Sequence, residues 1–463
     1  MLKRVKKIIA PLVLVAVLLI FVTACYYESD NNIPGLGYED TVVTFLNHLI
    51  AEDYDAVTQM LSTEMQAALS AVPLQVIVSG RLGNMIDISM LDILEHEGLQ
   101  IYTVAANHSK GSAVHQIVLD ANGYISGFQN IQFNFQPMMP PENANYTAEA
   151  VVIGEGTIWP LDGLLTIPQN ASVQNPVPAL ILIPGSGANN MDSSLFENRP
   201  FFDIAHYLSS NGVAVLRYNE RAFSHGIQLT QTFGANVTLQ EEYIEDALLA
   251  VQILRNDPRI SQIFVLGHSL GGIVAPRIAE EGGLDGVVIM ASSPRPLHLI
   301  IYDQNTSFIR DSVEAGIMSQ ADADMALALL AAQLEEAQNL LNMPPEELAN
   351  IFIFGAIPAI YELSIIESLP LPFIIRNTDT PVLILQGSRD FQTTVEDDFQ
   401  IFLEGTADMP HVTTILYDGL NHLMMTAYRQ YGPLVLDVME YAIQGNVDIN
   451  VTRDILTFVL MNN

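Results

Sequence analysis

Polar and apolar positions along this chain fall into distinct textures. From Glu39 to Leu69 apolar residues recur at helical spacing (Val43, Leu46, Leu49, Ile50, Val57, Leu61), which predicts two amphipathic helices. After Leu99 the period changes to two. Ile101 to Ala105 and Val114 to Leu119 read as strands, Asp120-Ala121-Asn122-Gly123 as a hairpin turn with glycine where φ turns positive, and Ile131 to Phe135 alternates again. This predicts a small α+β module over residues 38–136. The breaker-rich run Gln136-Pro137-Met138-Met139-Pro140-Pro141-Glu142-Asn143 follows and marks a linker over 137–145.

Beyond the linker, apolar strands alternate with helical segments. The strand candidates are Leu180–Ile183, Val213–Arg217, Ile263–Leu266, Val287–Met290, Val382–Leu385 and Val412–Tyr417. Several are unbroken apolar runs, as expected of parallel strands covered by helices on both faces. Thr238-Leu239-Gln240-Glu241 has the form of a capping box and opens a helix through Leu254. Between the Val287 and Val382 strands lies an insertion. It holds a long Ala/Leu/Gln/Glu stretch (Met318–Leu341), Pro344-Pro345-Glu346-Glu347 as a helix start, and the apolar run Ile351–Ile360. Its position and apolar content read as a helical lid over about residues 296–375. The whole is an α/β chain, with a mostly parallel central sheet over 146–463 and a small α+β domain ahead of it.

The first 25 residues have a different character. Lys3, Arg4, Lys6 and Lys7 precede the apolar run Ile8–Val22, which is shorter than the roughly 20 residues a spanning helix needs. Val22-Thr23-Ala24-Cys25 resembles the bacterial lipobox, and Cys25 is the single cysteine of the chain. The reading is a lipoprotein signal peptide over 1–24, lipid on Cys25, a polar tether over 25–37, and a membrane-anchored body outside the cytoplasm. One cysteine excludes an intramolecular disulfide and any Cys-rich metal site.

The chain has 463 residues, 49% hydrophobic and only 15% charged, so it can bury large cores. Against 52 Asp+Glu stand 18 Lys+Arg, a formal charge of −34. A surface so acidic excludes a nucleic-acid partner, which needs a basic face for phosphates.

Chemistry enters at Gly267-His268-Ser269-Leu270-Gly271-Gly272, between the Ile263–Leu266 strand and a helical run. Strand, Gly-x-Ser-x-Gly, helix is the pattern of a nucleophile elbow, in which a tight turn lifts the serine hydroxyl clear of the backbone. A hydroxyl attacks only when a base takes its proton, and that base needs an orienting carboxylate. Gln386-Gly387-Ser388-Arg389-Asp390 and Asp418-Gly419-Leu420-Asn421-His422 each follow a strand, in the order Ser, acid, His. The assignment is Ser269 as nucleophile, His422 as general base and then acid, and Asp390 as the group that fixes the imidazole tautomer. Asp418 is the rival acid. His411 precedes its strand, His268 adjoins the serine, and His225 and His298 fall in the wrong chain order. Two amides should form the oxyanion hole, that of Leu270 and that of Ser186 in Pro184-Gly185-Ser186-Gly187-Ala188, with Gly187 the alternative. No metal or organic cofactor is called for.

These motifs, with Leu216-Arg217-Tyr218-Asn219-Glu220-Arg221 and Ala291-Ser292-Ser293-Pro294-Arg295-Pro296, resemble the α/β-hydrolase family, and within it bacterial secreted esterases with serine-aminopeptidase-like or dienelactone-hydrolase-like cores. The helix-then-hairpins order of 38–136, with Leu-Asp-Ala-Asn-Gly-Tyr-Ile-Ser-Gly-Phe at 119–128, resembles NTF2- or cystatin-like modules. The chain departs from the relatives' pattern at Pro184, at Asn190-Met191-Asp192 and at Arg221-Ala222. The resemblance implies cleavage of a small-molecule ester with an apolar acyl part through an acyl-enzyme. Two alternatives stand beside it. An aminopeptidase or amidase on the same triad would need lid carboxylates such as Glu335, Glu336, Glu346 or Glu347 to hold a substrate amine. A catalytically silent binding lipoprotein would use the fold as a scaffold.

Overall fold

The computed structural model describes residues 38–63, 65–66, 82–96, 99–316, 318–428 and 438–462. Residues 1–24, read from the sequence as a signal peptide, and residues 25–37, read as the lipidated Cys25 and its tether, lie outside the described residues. Two compact units are present. One runs up to Pro137 and takes in Leu195–Glu197, and the other comprises Met138–Ser194 and Asn198–Asn463.

In the first unit, helix α1 (Glu39–Ile50) buries Val42, Phe45, Leu46 and Leu49, the i, i+3, i+4, i+7 stripe of a helix with one covered face. Helix α2 (Tyr54–Met60) starts where the Asp53 carboxylate accepts the Ala56 amide at 3.1 Å. Strands β1 (Met85–His96), β2 (Leu99–His108), β3 (Gly111–Leu119) and β4 (Ile125–Phe135) form an antiparallel meander in chain order. Between β3 and β4, Asp120 Oδ1 accepts the Asn122 and Tyr124 amides, and Gly123 takes φ 82°. Tyr102, Val104, Ile117, Leu119 and Ile125 pack with the α1 stripe into one core. Two features differ from the sequence reading. β4 begins at Ile125, ahead of the expected alternation at Ile131, and β1 has no counterpart among the expected strands. Its pairing with β2 slips between Met85 and Asp87 and between Met90 and Asp92, so the inside–outside alternation is broken twice.

The second unit is built on strands β5 (Tyr146–Ile153), β6 (Leu161–Pro168), β7 (Val177–Ile183), β8 (Ala214–Tyr218), β9 (Ile260–His268) and β10 (Gly286–Met290). After the insertion, with its two-residue hairpin strands β11 (Phe352–Ile353) and β12 (Ile357–Pro358), come β13 (Val382–Gly387) and β14 (Val412–Tyr417). The eight-stranded sheet has the order β14-β13-β10-β9-β7-β8-β6-β5. β6 pairs antiparallel with both neighbours and the other pairings are parallel. β7, β8, β10 and β13 are buried along their whole length, which matches their apolar runs.

Helices α3 (Pro200–Ser210), α4 (Arg221–Phe233), α5 (Glu245–Arg255) and α6 (Leu270–Gly282) follow the strands, and of these α3, α5 and α6 pack against the sheet. The capping box is present at the start of the segment leading into α5. Thr238 Oγ1 accepts the Gln240 amide at 3.1 Å, and the Glu241 carboxylate accepts the Thr238 amide at 2.9 Å. The insertion carries α7 (Leu297–Glu314), α8 (Gln320–Leu340), α9 (Ala359–Glu367) and α10 (Pro370–Arg376). Pro344–Glu347 does not start a long helix. It makes one tight turn over Pro345–Glu347, and positive φ at Asn350, Phe354 and Gly355 then reverses the chain into the β11–β12 hairpin. Helices α11 (Gln400–Thr406) and α12 (Ile449–Met461) complete the fold.

Candidate active site

Strand β9 runs straight into the elbow. Ser269 takes φ 56° and ψ −122°, a region non-glycine residues avoid, so neighbours must hold it there. They do so with three bonds: its amide donates to the Met290 carbonyl at 3.0 Å, and its carbonyl accepts the Gly272 amide at 2.9 Å and the Ser292 hydroxyl at 2.7 Å. The glycines around it are required by space. A Cβ on Gly267 would lie 2.0 Å from the Gly271 carbonyl oxygen, one on Gly271 2.4 Å from that of Ile183, and one on Gly272 2.6 Å from Ser292 Cβ. Leu270 is the first residue of α6, so its amide has no partner within the helix. Ser269 itself is half-buried.

The loop after β7 lies against this turn. A Cβ on Gly185 would sit 2.9 Å from Ser269 Cβ and 3.4 Å from its Oγ, so Ser186 and Gly187 follow directly on a backbone that touches the nucleophile's side chain.

Two further loops meet beside it. Gly387, at the end of β13, comes so close to the loop after β14 that a Cβ there would lie 2.3 Å from the Leu420 carbonyl oxygen. The Arg389 amide donates to that same carbonyl at 2.9 Å. This contact brings the acid and histidine loops together. His422 Nδ1 lies 2.8 Å from Asp390 Oδ2, and both side chains are buried. Asp390 also accepts the Gln392 amide (2.8 Å), the Thr393 amide (3.0 Å) and hydroxyl (2.9 Å), and the Gln386 side-chain amide (3.0 Å). Burial alone would raise its pKa. The charge and hydrogen bond of His422, with the Thr393 and Gln392 amides, outweigh burial and hold the carboxyl below its ordinary value. An ionised Asp390 accepting from Nδ1 keeps the proton on that nitrogen and leaves Nε2 with its lone pair. Asp418 instead accepts the Ser388 hydroxyl at 3.1 Å, and it is Asp390 that His422 Nδ1 meets.

His268 is a member of the site that the sequence reading leaves aside. Its Nε2 donates to the His422 carbonyl at 2.8 Å, and the two rings stand 4.8 Å apart. Burial, and then the adjacent His422, push its pKa down to about 3, so it is a neutral donor near pH 7. Through it the elbow and the histidine loop are tied together. No hydrogen bond joins Ser269 Oγ to His422 among the described residues. Such contacts are often long without substrate and tighten in the reacting complex. The other histidines are engaged elsewhere: His225 on the Pro160 carbonyl, His298 on Glu362, and His411 on the Ile374 carbonyl. Glu335, Glu336, Glu346 and Glu347 all lie at the surface of the insertion. Among the described residues there is no cluster of His, Cys, Asp and Glu that could hold a metal ion.

Residues 180–431 match the family model described as Alpha/beta hydrolase family. The chain is 31% identical over 433 residues to the protein named Esterase EstD of Thermotoga maritima, a match that covers 92% of this chain and 96% of that protein. Among solved structures, Est1E from Butyrivibrio proteoclasticus is similar at 17% identity, covering 68% of this chain and 98% of that one, with a TM-score of 0.41. A Mycobacterium tuberculosis puromycin-hydrolyzing peptidase is similar at 14% identity over 82% of this chain and 48% of that one, with a TM-score of 0.41. With its family model spanning the elbow and both following loops, and a relative matched along nearly its whole length, the chain belongs to the alpha/beta hydrolase family.

Proposed function

We propose that this chain hydrolyses carboxylic esters through an acyl-enzyme on Ser269. The hydrogen bond between the buried Asp390 and His422, on a loop tied by His268 to the serine elbow, carries this reading. In it, Ser269 Oγ attacks the ester carbonyl carbon while its proton passes to His422 Nε2. The negative charge that develops on the carbonyl oxygen is received by the Leu270 and Ser186 amides, each donor being worth about 3 kcal/mol. His422 returns the proton to the departing alkoxide, which leaves as alcohol. A water then loses its proton to His422 and attacks the acyl carbon, and the proton goes back to Ser269 as the acid is released.

The insertion over about 296–375 is read as a lid over an apolar acyl pocket. It leaves the sheet at Ala291–Ser292, and Ser292 bonds directly to Ser269, so its root adjoins the nucleophile. Residues 38–136 are read as the NTF2- or cystatin-like module, and Cys25 as the lipid anchor that keeps the enzyme at an extracytoplasmic membrane face.

The test is turnover of p-nitrophenyl esters of graded chain length by protein lacking residues 1–24. Wild type should hydrolyse them and Ser269→Ala should not. Equal rates in both, or turnover of aminoacyl-anilides alone, would overturn the ester reading. For the anchor, radiolabelled palmitate should enter wild type and not Cys25→Ala, and equal incorporation would end the lipoprotein reading.

A further inference from the structure

Asn189 is one residue past the glycine loop and has no role in the sequence reading. Its side-chain nitrogen donates to three carbonyls of that loop: Gly185 at 2.8 Å, Gly187 at 2.8 Å and Ser186 at 3.3 Å. The Tyr243 hydroxyl donates to the Gly185 carbonyl as well, at 2.9 Å, from within the buried core. Asn189 is itself held by Glu220, whose carboxylate accepts its amide and whose own amide donates to its carbonyl at 3.0 Å.

The consequence follows from peptide geometry. In a trans peptide the carbonyl of one residue and the amide of the next point in opposite directions. Pinning the Gly185 carbonyl toward Asn189 and Tyr243 turns the Ser186 amide away from them. Pinning the Ser186 carbonyl does the same for the Gly187 amide. The loop so oriented is the one whose Gly185 abuts Ser269. A glycine-rich loop left to itself samples many orientations, and donors that must swing into place at the moment of reaction give up much of their electrostatic advantage.

We infer that Asn189, backed by Tyr243 and oriented by Glu220, is the positioning residue that presets the Ser186 amide of the oxyanion hole. This rests on the ester-hydrolase reading of the site. Asn189 touches no reacting atom. It acts by holding three carbonyls on one side of the loop, and the effect of losing it belongs to the charged transition state and not to the bound ester.

The experiment compares wild type, Asn189→Ala, Asn189→Asp, Tyr243→Phe and Ser269→Ala. Each is tested for p-nitrophenyl ester kcat and KM and for affinity toward a trifluoromethyl ketone, whose adduct with serine carries the oxyanion. Asn189→Ala should lower kcat about tenfold, the scale of one lost hydrogen bond. Asn189→Asp should lower it about a hundredfold or more, because a carboxylate facing three carbonyls drives the loop away, approaching the loss of a donor. Ketone affinity should fall in step with kcat, with KM nearly unchanged. Tyr243→Phe should show the same pattern, a few-fold in size, and provides the test if an Asn189 variant does not fold. Active wild type and inactive Ser269→Ala, with variants that keep wild-type kcat or lose activity through KM alone, would overturn this inference and leave the proposed function standing. An inactive wild type, or an active Ser269→Ala, would instead overturn the proposed function and this inference with it.

Discussion

Replacing Asp390 by asparagine keeps the shape of the side chain and inverts one contact. Asp390 Oδ1 accepts two backbone amides, those of Gln392 and Thr393, and neither donor can be reversed. The new side chain must therefore present its oxygen there and its NH2 group at the Oδ2 position. At that position it meets His422 Nδ1, 2.8 Å away in wild type. Donating to Nδ1 forces the imidazole proton onto Nε2, the nitrogen that has to accept the serine proton. The Thr393 hydroxyl can turn to accept, and Gln386 keeps the Thr393 carbonyl at 2.8 Å as an acceptor, so the fold survives. The expected cost is that of a wrong tautomer, a fall in kcat of about 10⁴, or about 5 kcal/mol of barrier at 1.36 kcal/mol per decade. Steady-state ester hydrolysis gives kcat and KM, and nitrogen NMR of labelled imidazole reports which ring nitrogen carries the proton. A well-folded Asp390→Asn variant within tenfold of wild type, or one with the proton still on Nδ1, would rule out this role for Asp390.

Other perturbations probe different parts of the structure. Gly271→Ala puts a methyl group 2.4 and 2.5 Å from the backbone oxygens of Ile183 and Pro184, and should destabilise the second unit by about 3 kcal/mol in urea unfolding. His268→Phe keeps a ring beside His422 but removes the donor to its carbonyl, and should lower kcat about tenfold without changing the ester chain-length preference. Glu242 is buried against the Tyr361 hydroxyl, and burial pushes its pKa up from 4.5 to about 7. Between those values the folded chain holds a proton that the unfolded chain has released, so this group's stabilising contribution falls as pH rises from about 4.5 to 7. Glu242→Gln, neutral at every pH, should therefore gain on wild type by about 3 kcal/mol at pH 8 relative to pH 4, as read by urea unfolding. An equal difference at both pH values would contradict the shift.

How much of this could be read from the sequence depends on how local each cause is. The central parallel strands were legible because burial on both faces leaves continuous apolar runs such as Leu180–Ile183, and the order Ser269, Asp390, His422 because each follows a strand, the last being the half-exposed edge strand β14. The strand β1 was not, since its two slips against β2 leave Ile86, Leu91 and Ile93 exposed and spoil the period of two. The prolines at 344 and 345 give a helix-start signal, but the positive φ of Asn350 and Phe354 belongs to tertiary packing, which overrides propensity. The role of His268 is hidden in the sequence because its contact lies 154 positions away at His422. The bonds of Asn189 are short in sequence, yet they depend on a loop conformation that the glycines leave unspecified until Tyr243 and Glu220 close around it.

The central claim is that Ser269 is made reactive by His422. Incubation with a fluorophosphonate followed by peptide mass spectrometry tests it directly. One adduct is expected, on the peptide bearing Ser269, in wild type, with at most slow labelling in His422→Ala. An adduct on another residue, or wild-type labelling rates in the folded His422→Ala protein, would contradict it.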